Sequence, residues 1–165
     1  MRLSTVVAGI SCVLIARAGQ AASGMAADTS LFRVALTLQA DCSITSGVLN
    51  FGSQSNFTNG INQSAQLSVT CSNNAPYSIG LDAGNVNGST INGRLLQSSS
   101  GDTVQYQLYK DASRSEVWGN TAGTDALTGV GNGAAQMVPI YGQIGARQQP
   151  AEGAYSATVT ATVSF

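Results

Sequence analysis

Histidine is absent from all 165 residues. That removes the commonest general base, the commonest metal ligand and every Ser-His or Cys-His pairing. Charge is scarce as well: Asp, Glu, Lys and Arg make up 9 % of the chain, against roughly 25 % in an ordinary soluble domain. Lys110 is the sole lysine, the net charge is −1, and no basic run occurs. Clustered cations hold phosphates, so a nucleic-acid partner is not expected. The carboxylates Asp82, Asp102, Asp111, Asp125, Glu116 and Glu152 are scattered among turn residues and read as solvated loop positions. Without a metal cluster or a phosphate loop, the sequence points to no enzyme, no cofactor and no small-molecule substrate.

What is present begins with an apolar leader. Met1-Arg2 supplies one positive charge, Leu3 to Ile15 is apolar but short for a bilayer span, and small residues follow to Ala26. This pattern predicts a secretory signal peptide over 1–26, with the cut bracketed between 18 and 27. Cys12 leaves with it, so the mature chain keeps Cys42 and Cys71. Two cysteines in an exported chain most often form one disulfide; two free buried thiols are the other reading.

Downstream, the apolar residues alternate instead of following a helical period. In Leu31–Cys42 the residues Phe32, Val34, Leu36, Leu38, Ala40 and Cys42 take every second position. This predicts a strand with one apolar and one polar face. The same pattern predicts strands at 65–71, 77–81, 104–108, 136–144 and 155–165, with short ones at 48–52 and 94–97. Asn120–Gly133 reads as a long Gly/Thr/Asn loop. Eight or nine strands with turn signals about every ten residues indicate an antiparallel β-sandwich. The strand over 155–165 has nothing after it to pair with its outer edge, and a long apolar edge invites aggregation unless covered. The leading strand is the candidate cover, from this molecule or from another.

Several strings in order carry a resemblance: Asn50-Phe51-Gly52 after a cysteine, Val69-Thr70-Cys71, Val104 to Asp111 followed by Val117-Trp118-Gly119, Pro139 to Ile144, and Gly153-Ala154-Tyr155 leading into Thr160 to Phe165. Together they resemble the spore coat protein U domain, shared by spore coat protein U and the pilin subunits of archaic chaperone–usher pili. The resemblance spans roughly 34–165. It implies an immunoglobulin-like antiparallel sandwich lacking its last strand. In such pilins a periplasmic chaperone fills the gap first, and the leading strand of the next subunit replaces it at an outer-membrane usher. It also implies a disulfide between Cys42 and Cys71, a donor extension over 27–40 and a pilin domain over 41–165. Phe32, Val34, Leu36 and Leu38 then enter a partner's groove, whose edge carries Tyr155, Val159, Val163 and Phe165.

The expected protein is a structural subunit of a surface fibre, exported to the periplasm and then the cell surface, polymerising with neighbouring pilins, with a role in adhesion and biofilm formation. The alternatives are a spore coat or surface-layer structural protein, or a single-domain carbohydrate-binding module with Trp118, Tyr109 and Tyr141 as its platform. The bland reading of Leu31–Leu38 is an ordinary first strand of its own sandwich, and that of Trp118 a core aromatic.

Overall fold

The computed structural model describes residues 27–165, so the expected signal peptide lies outside the described residues. A compact body runs from Thr37 to Phe165. Among the described residues it holds nine strands and no helix: β1 (Cys42–Ser46), β2 (Ile61–Cys71), β3 (Pro76–Leu81), β4 (Arg94–Ser98), β5 (Thr103–Tyr109), β6 (Leu127–Val130), β7 (Ala135–Ile144), β8 (Tyr155–Ser156) and β9 (Ala161–Ser164). All the ladders are antiparallel. One sheet has six strands in the order β1-β2-β7-β5-β4-β8, and the other has three in the order β6-β3-β9. The protein is an all-β sandwich of immunoglobulin-like kind.

Alternation decides which side chains meet between the sheets. Leu67, Val69 and Cys71 on β2, Ile79 and Leu81 on β3 and Val104 on β5 are fully buried, while Ser68, Thr70 and Gln105 between them are not. Trp118, also fully buried, hydrogen-bonds from Nε1 to the carbonyl of Ile79 at 2.8 Å. It is a core residue, with no ring face left for a ligand, and the sugar platform loses its tryptophan.

Three local expectations are corrected. Residues 31–41 join no ladder; the first strand starts at Cys42. Extended backbone with alternating side chains becomes a strand only when another strand takes its hydrogen bonds. Residues 48–52 form no strand, because Asn50 Oδ1 accepts from Gly52 N at 2.8 Å and Gly52 takes a φ of 73°. That turn bends the backbone away from a ladder. Conversely, the stretch 120–133 contains β6, paired with β3 from Pro76↔Val130 to Ile79↔Leu127.

Cys42 and Cys71 are bonded, and they face each other in the β1–β2 register with Cα atoms 4.1 Å apart. This is the close, non-hydrogen-bonded kind of cross-strand pair. Replacing both cysteines with serine is expected to lower stability by about 3–4 kcal/mol, the chain entropy of a loop of about thirty residues. Reversible urea unfolding of the double variant under oxidising conditions checks this.

The turn after β5 is organised by Asp111. The Ser113 hydroxyl, the backbone N–H of Glu116 (2.8 Å) and the backbone N–H of Ser115 (3.1 Å) all donate to its carboxylate. The Ser113 hydrogen bond and then the backbone donors hold its carboxyl well below the usual carboxylate range. A depressed folded pKa means the contribution is intact above the unfolded value of about 4 and is lost only as pH falls through the lower folded value. An NMR titration should find Asp111 still ionised after the other exposed carboxylates have protonated.

Candidate strand-acceptor groove

The site is built from two sheet edges. β1 pairs only with β2, and β9 only with β3. The two strands approach to within 8 Å between Cα atoms yet share no ladder.

Hydrogen bonding fixes which backbone groups face that gap. Ser72 N donates to Asp41 O and Gly47 N to Gln66 O, so the odd residues of β1 spend their groups on β2. In an antiparallel ladder the alternate residues turn theirs the other way, so Cys42 and Ile44 present N–H and C=O to the open side. The opposite lip repeats the arrangement. Asp82 N donates to Thr160 O and Asn85 N to Thr158 O, while Asn85 Oδ1 accepts from Thr158 N at 2.8 Å and Asp82 Oδ1 from Thr160 N at 2.9 Å. The 82–85 turn thus holds the inner side of the C-terminal stretch where it crosses from β8 to β9. Ala157, Val159, Ala161 and Val163 are left facing outward with their backbone groups. Such rows are templates for another strand.

The side chains tell the same story. From Tyr155 to Ser164 every odd residue is half-buried and every even one exposed. The inward set packs on the core without being covered by it.

Beyond β1 and β9 the lips part over a cavity of about 850 Å³ lined by Leu49, Phe51, Phe57, Leu96, Ile144 and Tyr155, among others. The chain runs from 42 to 57 along one lip and from 165 back to 149 along the other. Gly142 beneath leaves room for them, since a Cβ there would lie 2.7 Å from Leu49 Cδ2 and 3.0 Å from Phe51 Cζ and would push those side-chain tips aside. Among the described residues no cluster of His, Cys, Asp or Glu is placed to hold a metal.

Of the residues expected at the groove edge, Tyr155, Val159 and Val163 are half-buried along the C-terminal lip. Phe165, 59 % exposed, ends it. Phe32, Val34, Leu36 and Leu38 are 81–86 % exposed.

The Spore Coat Protein U domain family profile matches residues 28–162. The chain belongs to this family. Protein U of Myxococcus xanthus is 39 % identical over 72 residues, covering 44 % of this chain and 40 % of that protein. Among solved structures, a chain of the CsuC–CsuE chaperone–tip adhesion subunit pre-assembly complex, from the archaic chaperone-usher Csu pili of Acinetobacter baumannii, superposes with a TM-score of 0.56 at 25 % identity, over 78 % of this chain and 40 % of that one. The E. coli Hda pilus minor tip subunit HdaB gives a TM-score of 0.39 at 14 % identity, over 74 % and 79 % of the two chains. The match thus spans two fifths of the length of both Protein U and the Csu chain.

Sequence reading missed one residue of this spore coat protein U domain entirely. Arg94 is fully buried. Its guanidinium donates to the carbonyls of Asp82 (3.0 Å), Leu81 (3.0 Å), Trp118 (2.7 Å) and Ile91 (3.2 Å) and to Gln107 Oε1 (2.7 Å). Burial lowers its pKa from the ordinary value, partly opposed by Tyr106, Asp82 and Asp125. An arginine keeps its proton regardless. Through Asp82 it steadies the turn that holds the C-terminal lip. Nothing local in the sequence announces this, because its partners lie 3 to 24 residues away.

Proposed function

We propose that the chain is a structural subunit of an archaic chaperone–usher pilus, polymerised when the leading segment of one copy enters the groove of the next. The observation that carries this reading is the pairing of two unpartnered features. The lips at β1 and β9 offer half-buried apolar residues and free backbone groups. Residues 32–38 carry an alternating apolar row that is exposed and joins no ladder. A strand added between the lips would take up both.

An inserted strand sits about 4.8 Å from each neighbour, so the lips at β1 and β9 must move apart to admit it. A periplasmic chaperone would hold the groove filled until an outer-membrane usher exchanges it for the incoming segment. Export through the signal peptide precedes this, and the fibre at the cell surface serves adhesion and biofilm formation. The Csu neighbour, a pre-assembly complex of a chaperone with a tip adhesion subunit, supports the assembly route.

Leu36→Asp tests the proposal by placing a carboxylate where the segment would be buried. Co-expressed with a pilus chaperone, the variant should be recovered as a folded chaperone complex, while fibres are lost from electron micrographs and from SDS-resistant ladders. Fibres forming at the wild-type level would sink the reading. Membership of the Spore Coat Protein U domain family favours a second one, the same subunit laid into a coat; micrographs showing a shell in place of filaments would select it.

A further inference from the structure

The outer face of the six-stranded sheet carries no charged side chain. On each strand the outward residues alternate with those that face the core, and none of the outward residues of β1, β2, β7, β5, β4 and β8 is Asp, Glu, Lys or Arg. Arg94, the single charged residue on these strands, points inward.

Amide, hydroxyl and phenol make up most of the face, with Ala135, Met137 and Pro139 on β7 and Leu95 on β4 as its apolar positions. Tyr109 stands directly opposite Tyr141, and Tyr141 opposite Ser64. In the adjacent row Gln143 faces Asn62, donating from Nε2 to Asn62 Oδ1 at 3.1 Å, and the Tyr109 hydroxyl lies 3.4 Å from Gln143 Oε1. Gln66 continues the polar surface along β2, exposed to solvent. β7 runs for about 34 Å with β2 beside it throughout, and β5 lies against its last four residues.

We propose that this face binds an extended, uncharged polysaccharide. The absence of charge selects a neutral partner, since neither phosphate nor carboxylate finds a cation there. Amides and hydroxyls both donate and accept, as a polyhydroxylated chain requires, and the adjoining tyrosines offer aromatic surface to the apolar faces of sugar rings. The face is open, whereas small-molecule sites are concave; it therefore suits a polymer that repeats the same weak contacts. A second copy of the chain fits less well. Protein interfaces centre on an apolar core, and the large aliphatic residues of this face, Met137 at 58 % exposure on β7 and half-buried Leu95 on β4, stand on separate strands that do not pair. The face is separate from the groove, which lies at the sheet edges, so this inference does not rest on strand exchange.

The test is cosedimentation of the full chain with insoluble cellulose, chitin and granular α-glucan, with alginate beads as the anionic comparison. At least one neutral polymer should retain the protein, alginate should not, and retention should hold from low to high salt. Tyr109→Ala and Tyr141→Ala should each weaken retention about tenfold, the loss expected of an aromatic anchor. Gln66→Glu, at an exposed strand position, should weaken it with an unchanged melting curve, which separates lost binding from lost folding. Failure of all three neutral polymers would overturn the proposal, as would retention unaffected by Tyr141→Ala and Gln66→Glu. Sedimentation velocity showing self-association that these variants abolish, without retention on any polysaccharide, would assign the face to a second copy.

Discussion

Deleting residues 28–40 is expected to give a chain that accumulates only in complex with a co-expressed pilus chaperone and never enters a polymer. The magnitude follows from the four side chains involved. Burying Phe32, Val34, Leu36 and Leu38 contributes roughly 1.5–3 kcal/mol each, about 6–12 kcal/mol before ordering costs. That is comparable to the whole stability of a domain. Such a link is non-covalent yet very slow to open, because every contact along the strand must be released together. A synthetic peptide spanning 29–40 should restore stability to the truncated chain, raising its melting temperature in proportion to the logarithm of excess peptide. The same peptide with aspartate at position 36 should not. If the truncated chain instead folds alone, melts at the full-length temperature and ignores the peptide, the groove needs no donor and the exchange reading falls.

Arg94→Leu is expected to cost about 3–5 kcal/mol. The change removes no apolar packing of consequence. It strips donors from the buried carbonyls of Leu81 and Trp118 and from those of Asp82 and Ile91 at their margin, leaving acceptors that water cannot easily reach. Arg94→Lys should recover only part of the loss, since an ammonium offers three donors to five acceptors spread around a planar fork. Urea unfolding with an unchanged m-value is the measurement. Because Asp82 Oδ1 holds Thr160 N, Arg94→Leu should also speed hydrogen exchange at Thr160 more than at the β2–β7 ladder. A loss under about 1 kcal/mol would mean that the carbonyls find other donors.

The strand pattern was legible in the sequence wherever local alternation governs. Tyr155 to Phe165 could be assigned an inward and an outward row from spacing alone, and the structure keeps the inward row from Tyr155 to Val163 through a change of sheet, with Phe165 exposed. It did not reveal the change itself: β8 pairs with β4 and β9 with β3. The break between them is made by Asp82 and Asn85, more than seventy residues away. The irregular stretch at 48–52 escaped for a different reason. Its apolar residues alternate as in a strand, yet the Asn50–Gly52 turn redirects them so that Leu49 and Phe51 pack down over Gly142.

Period-two patterning and closely spaced turn residues determined by themselves that this is an antiparallel β-sandwich, and a composition poor in charge determined that its surface is built mostly from uncharged polar residues. These are local or compositional properties, and each residue carries its share of them wherever the chain goes. Tertiary structure alone decided that β1 and β9 are left facing one another unpaired, that a guanidinium rather than a hydrophobe sits beneath the C-terminal lip, and that one whole sheet face is free of charge. Each of those depends on which distant strands become neighbours, and pairing between strands is a long-range choice that no single stretch of sequence encodes.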